Sequence, residues 1–92
     1  MAEVAVRLPS LLSSLLKVPR LMHVSGDTLD GALEELCRIQ PSLAIHLFDE
    51  SGGFREHVLC FVNDTNSRET GASKLVLHDG DTIPILQAVS GG

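Results

Sequence analysis

Val4, Val6 and Leu8 alternate with Ala5 and Arg7, a period of two that predicts a strand with one buried face. Pro9 ends it. Leu11 to Leu16 is apolar but broken by Ser13 and Ser14, and fits either a helical turn or a loop pinned to the core. Leu21 to Val24 predicts a second strand, followed by a turn at Ser25-Gly26. Asp27 and Thr28 then open a helix: both are good N-caps, and Asp30 puts negative charge in the first turn, where the helix dipole favours it. Leu29, Ala32, Leu33, Leu36 and Ile39 follow the helical spacing of a one-sided apolar stripe, while Glu34, Glu35 and Arg38 fall mainly on the other face. Pro41 stops this helix, because a proline breaks the hydrogen-bond ladder. Ser42 to Phe48 has room for one more helical turn.

Asp49 to Gly53 is a polar turn. Val58 to Val62 is an uninterrupted β-prone run, and Asn63-Asp64-Thr65-Asn66 after it reads as a turn. Leu75, Val76 and Leu77 predict a short strand, His78-Asp79-Gly80-Asp81 a tight turn, and Ile83 to Val89 the last strand. Pro84 cannot donate to a ladder, so a bulge or an unpaired position is expected there. One main helix against a small mixed sheet is an α+β domain. Two opening strands, a crossover helix and a returning set of strands fit a β-grasp (ubiquitin-like) roll. Residues 1–87 form the expected domain, and 88–92 an expected flexible tail ending in Gly-Gly.

Composition narrows the function. At 92 residues there is room for one domain. The chain is too rich in Leu, Ile, Val and Phe for a disordered segment. Its longest apolar run, Val58 to Val62, is far short of the roughly 20 residues of a membrane helix. A net charge of −5 argues against nucleic acid as a partner, and three aromatics leave little to stack on bases. Leu11 to Leu16 is not read as a signal segment, because Glu3 stands where a basic region belongs, Lys17 and Arg20 interrupt, and no small-residue cleavage site follows. With only Cys37 and Cys60, no disulfide framework is expected, and a cytoplasmic location is the default.

Few residues suggest catalysis. His23, His46, His57 and His78 are scattered without metal-ligand spacing. Asp79-Gly80-Asp81 lacks the remaining ligands of a calcium loop and reads as a turn. No Ser/His/Asp arrangement, phosphate-cradling loop or paired carboxylates can be placed. Cys37 and Cys60 read as small core residues rather than persulfide carriers. Val58, Cys60 and Val62 are expected to face the helix, and Leu59 and Phe61 to face away. Leu59 and Phe61 then form a docking patch bordered by Arg7, unless Leu11 to Leu16 covers them or they are ordinary surface apolars. Arg68 is placed nearby at a strand edge, either pairing with a partner or simply solvated.

The chain ends Gln87-Ala88-Val89-Ser90-Gly91-Gly92. With the opening strand Val4 to Leu8, the helix start Gly26-Asp27-Thr28-Leu29, the strand end Val62-Asn63-Asp64 and the turn Asp79-Gly80-Asp81, this ending resembles the ubiquitin-like sulfur carrier proteins of the MoaD/ThiS type, most of all the CysO type. The resemblance covers the whole chain. Gln87 and Pro84 depart from it: related tails often carry proline at the first position and an ordinary strand residue at the second. The resemblance implies a carrier, not an enzyme. A MoeB/ThiF-like enzyme would adenylate the Gly92 carboxylate using its own ATP and Mg, with no cofactor held by this chain. A persulfide or sulfide source would then convert the acyl adenylate to a thiocarboxylate. A downstream synthase would accept the sulfur for cysteine, molybdopterin, thiamin or a secondary metabolite. Ala88, Val89, Ser90 and Gly91 would thread into the partner's site. Two other uses of the same ending stay open: conjugation of Gly92 to lysine as a protein modifier, and a passive interaction module.

Overall fold

The computed structural model describes residues 1–87. The chain runs β1 (Ala2–Arg7), α1 (Ser10–Leu16), β2 (Leu21–Gly26), α2 (Leu29–Ile39), α3 (Ser42–Leu47), β3 (Val58–Val62), β4 (Thr65–Asn66), a 3-10 turn (Ala72–Lys74) and β5 (Thr82–Gln87). The strands form one mixed sheet in the order β2-β1-β5-β3-β4. β1 and β5 are parallel, and the other neighbours are antiparallel.

Alternation fixes which face is buried. Ala2, Val4 and Val6 of β1, Val58, Cys60 and Val62 of β3, and Ile83 and Ile85 of β5 all point to one side and are buried. They meet Leu29, Ala32, Leu33 and Leu36 of α2 in one core cluster. Each fully buried aliphatic side chain contributes about 1.5–3 kcal/mol of transfer free energy, so this interlayer contact drives folding. Thr28 caps α2, its Oγ1 accepting from the Gly31 amide at 3.2 Å.

Several elements differ from the sequence expectation. Leu11 to Leu16 forms a true helix, anchored by buried Leu12 and half-buried Leu16; Leu11 and Leu15 stay exposed. Ile39, at the end of the α2 stripe, is 45% exposed, because the chain turns into α3 before that position reaches the sheet. Ser25 and Gly26 are not a turn but the end of β2, paired with Glu3 and Ala2. The Asn63–Asn66 turn is tighter than expected: Asn63 takes a left-handed φ of 54°, and Thr65 and Asn66 pair back onto Val62 and Phe61. Leu75 to Leu77 does not join the sheet. The Leu29 amide donates to the Leu75 carbonyl at 3.1 Å and the Leu77 amide to the Asp27 carbonyl at 2.9 Å, so the segment is tied to the start of α2.

Pro84 occupies a central strand because only one of its sides is needed. It lies in register with Arg7 of β1. The β3 ladder pairs Val58 with Gln87, Leu59 with Leu86 and Cys60 with Ile85, and ends one step before Phe61 would meet the proline. That is the unpaired position expected of it. The 78–81 turn forms as predicted, with Gly80 at φ 88°, and it grips β1: the Glu3 amide donates to Asp79 Oδ1 and the Gly80 amide to the Glu3 carbonyl, both at 2.9 Å.

Candidate functional site

Ala88, Val89, Ser90, Gly91 and Gly92, the residues that carry the expected chemistry, lie outside the described residues. The structure does define where they are rooted. β5 lies at the middle of the sheet, between β1 and β3, and its last residue Gln87 pairs with Val58. The segment before β3 is held beside that root by Arg68, whose Nη2 donates to the carbonyls of Arg55, Glu56 and Val58 at 3.0, 2.5 and 2.9 Å. Arg68 is therefore not simply solvated; it staples backbone. Nothing in the sequence signals this, because the acceptors are main-chain groups 10 to 13 residues away.

The outer face of the sheet carries the other predicted residues. Leu59 and Phe61 point away from α2 as expected but are half-buried rather than open. Leu86, directly opposite Leu59, is 48% exposed. Half-buried Pro84 lies beside Arg7, and exposed Leu21 pairs with Arg7 on its other side. The face is thus an apolar strip from β3 across β5 with one guanidinium at its border. The Leu11–Leu16 segment does not cover it, since Leu12 packs into the core and α1 lies against α3. Leu86 and Leu21 are missing from the sequence reading. The alternation that buries Ile83 and Ile85 already places Leu86 on the outer face.

The cysteines are placed as expected for packing. Cys60 is buried on β3, and burial pushes its thiol up to about 11; Cys37, half-buried on α2, is also raised by burial. Both are protonated at neutral pH, and a protonated thiol is a poor nucleophile. An aromatic disulfide reagent at pH 8 is expected to react slowly with Cys37 and to reach Cys60 only on unfolding. Labelling both at the rate of a free thiol would contradict the burial. The Cys60 shift also has a pH signature. Its folded value exceeds the unfolded one, so its stabilisation is complete below about pH 9 and is lost as pH rises toward 11. Among the described residues no group of three or more His, Cys, Asp or Glu can hold a metal ion. No described helix is long and apolar enough to cross a membrane.

A helical layer over a five-stranded mixed sheet, with the C-terminal strand central and parallel to the first, defines the ubiquitin-like β-grasp class. Residues 18–92 match the ThiS family, and the chain belongs to it. The sulfur carrier protein CysO of Mycobacterium tuberculosis is 32% identical over 98% of this chain and 99% of its own length. Among solved structures, the Amycolatopsis orientalis BexX/CysO complex contains a chain that superposes with a TM-score of 0.81 at 26% identity, covering 97% of this chain and 99% of that one. Small archaeal modifier protein 1 of Methanosarcina acetivorans superposes with a TM-score of 0.82 at 28% identity, covering 100% and 98%.

Proposed function

We propose that this protein is a sulfur carrier whose Gly92 carboxylate is activated and then loaded with sulfur. The observation that carries this reading is the near full-length match to a mycobacterial sulfur carrier, in a chain that ends Gly91-Gly92. The chemistry explains why activation is needed. A terminal carboxylate has a pKa of about 3.5 and is ionised at neutral pH. It resists nucleophiles because its leaving group would be oxide. A MoeB/ThiF-like partner, using ATP and Mg, would join it to AMP and release pyrophosphate. Hydrosulfide then displaces AMP and leaves the thiocarboxylate. A persulfide reaches the same product once a thiol has reduced the acyl disulfide. The protein is the co-substrate of its partners, and a downstream synthase takes the sulfur.

The outer face suits the docking step. Leu59, Phe61, Pro84 and Leu86 offer apolar area close to the root of the tail, and Arg7 offers one charge at the rim. Apolar centres with polar rims are the usual anatomy of protein interfaces. The likeness to small archaeal modifier protein 1 supports a second use of the same activated carboxylate, transfer to a lysine amine.

Intact mass tests the reading. Incubation with the activating enzyme, ATP and a sulfide source is expected to add the mass of one sulfur in place of one oxygen. The gain should vanish when Gly92 is removed. No gain with a folded chain and an active enzyme would sink the carrier assignment, and adducts on lysine in cells would favour the modifier.

A further inference from the structure

Charge is divided between the two ends of the sheet. β1 and β5 are parallel and run toward the end where the tail begins, and β2 and β3 start there. Five of the seven Lys and Arg residues belong to that end. Arg7 closes β1. Lys17 and Arg20 lie in the connection from α1 to β2, whose backbone is tied to the extension of β1 by the Leu8 amide donating to the Arg20 carbonyl at 2.6 Å. Arg55 precedes β3, its Nε donating to the Ile45 carbonyl at 2.9 Å, and Arg68 reaches the same segment. None of the five forms an ion pair with a carboxylate among the described residues. The carboxylates nearest in sequence are Glu56 and Glu69, and Glu69 is turned back to accept from the Asn66 amide at 2.8 Å; Asp49 acts on Arg55 through space from the turn after α3, so Arg55 is the partly compensated member of the five.

The opposite end is acidic. Glu3, Asp27, Asp79 and Asp81 gather there through the contacts between β1, the start of α2 and the 78–81 turn. Their basic neighbours are the Met1 amine, 3.6 Å from Asp27, and the His78 ring, 3.8 Å from Asp81. The remaining cations lie away from the tail root: Arg38 is paired with Glu35, and Lys74 sits in the 3-10 turn leading to Leu75, which is bonded to the start of α2.

A net charge of −5 predicts weak repulsion from an acidic protein. The polarity reverses that for one orientation, the one that presents the tail first. We infer that the basic collar around the tail root is an electrostatic guide, matched to a partner protein with carboxylates around the opening of the site that receives the tail. The inference rests on the carrier reading and adds what the receiving surface looks like. A field of this kind raises association rates by about 10- to 1,000-fold at low ionic strength. Salt screens it, because the Debye length falls from about 10 Å at 0.1 M to 3 Å at 1 M.

Association of the full chain with the activating enzyme tests this, measured as an on-rate at 25 mM and 500 mM salt. Arg20→Glu, Lys17→Glu and Lys74→Glu change net charge identically, but only the first two alter the collar. All three side chains are exposed, and melting curves confirm that each variant folds. Arg20→Glu and Lys17→Glu are expected to slow association about fivefold to tenfold at low salt and less than twofold at high salt. Lys74→Glu is expected to stay within about twofold of the unmodified chain. Equal effects at all three positions, or a loss at Arg20 and Lys17 that persists at high salt, would overturn the guide. Pyrophosphate exchange is recorded in parallel. Salt-sensitive binding without exchange would remove the activation of Gly92 and leave the guide standing.

Discussion

A chain carrying Gly92→Val is expected to fold and melt like the unmodified protein and to lose activation by about 100-fold or more in kcat/KM. The two halves of this result have separate causes. The substitution lies five positions beyond Gln87, the last residue of β5, and every ladder described above is made by residues before it. On the proposed reading, the reacting carboxylate belongs to the substituted residue itself. A branched side chain next to that carbon blocks the in-line approach to the α-phosphate, and misplacement of a reacting atom by about 1 Å costs about 100-fold. Glycine also reaches backbone angles closed to valine. Pyrophosphate exchange gives the rate and a thermal melt gives the fold. Full activity in Gly92→Val would mean that the partner's site has room for a side chain at this position, and the steric account would fall.

Gly26→Val is expected to do the reverse, lowering stability by about 3 kcal/mol or more. A Cβ at Gly26 would stand 2.6 Å from the Ala32 nitrogen and 2.8 Å from its Cα. These are backbone atoms of α2, so no side chain can swing aside. The end of β2 and the first turn of α2 would have to separate, opening the core that the two elements share. For a domain of this size the loss corresponds to roughly 15 °C in Tm. Gly31 is the matched control. Its added Cβ meets Thr28 Oγ1 at 3.5 Å and Gly26 Cα at 4.0 Å, both ordinary van der Waals contacts, so Gly31→Ala should be neutral or stabilising by up to about 1 kcal/mol through helix propensity. Urea titration of both variants measures the difference. Equal midpoints would mean that the β2–α2 approach is looser than its distances.

The elements that follow one period were legible in the sequence. β1 carries an alternating stripe and α2 a helical one, β3 and β5 are continuous β-prone runs, and Thr28 and Pro41 mark the ends of α2. The elements missed are those made by contacts between distant segments. Leu75 to Leu77 looks like a strand because it is apolar, but its hydrogen bonds go to Asp27 and Leu29, a pairing no local pattern encodes. β4 is too short and polar to have a period. The site was legible in part. Alternation put Leu59, Phe61 and Leu86 on the outer face, but only the strand order brings Leu86, Pro84 and Leu21 alongside the other two. That order also brings Arg68 and Arg20 to the root of the tail from positions 48 residues apart in sequence.

The central place of β5 also has a mechanical meaning. The C-terminal end continues directly from a strand bonded on both sides, parallel to β1 and antiparallel to β3. A force applied at that end pulls along both ladders at once, in shear, so their bonds share the load and do not open one by one. The missing amide of Pro84 removes one tie on the β3 side, and the parallel pairing with β1 carries the load at that point. A pull along β5 is therefore passed through both ladders to the body of the domain.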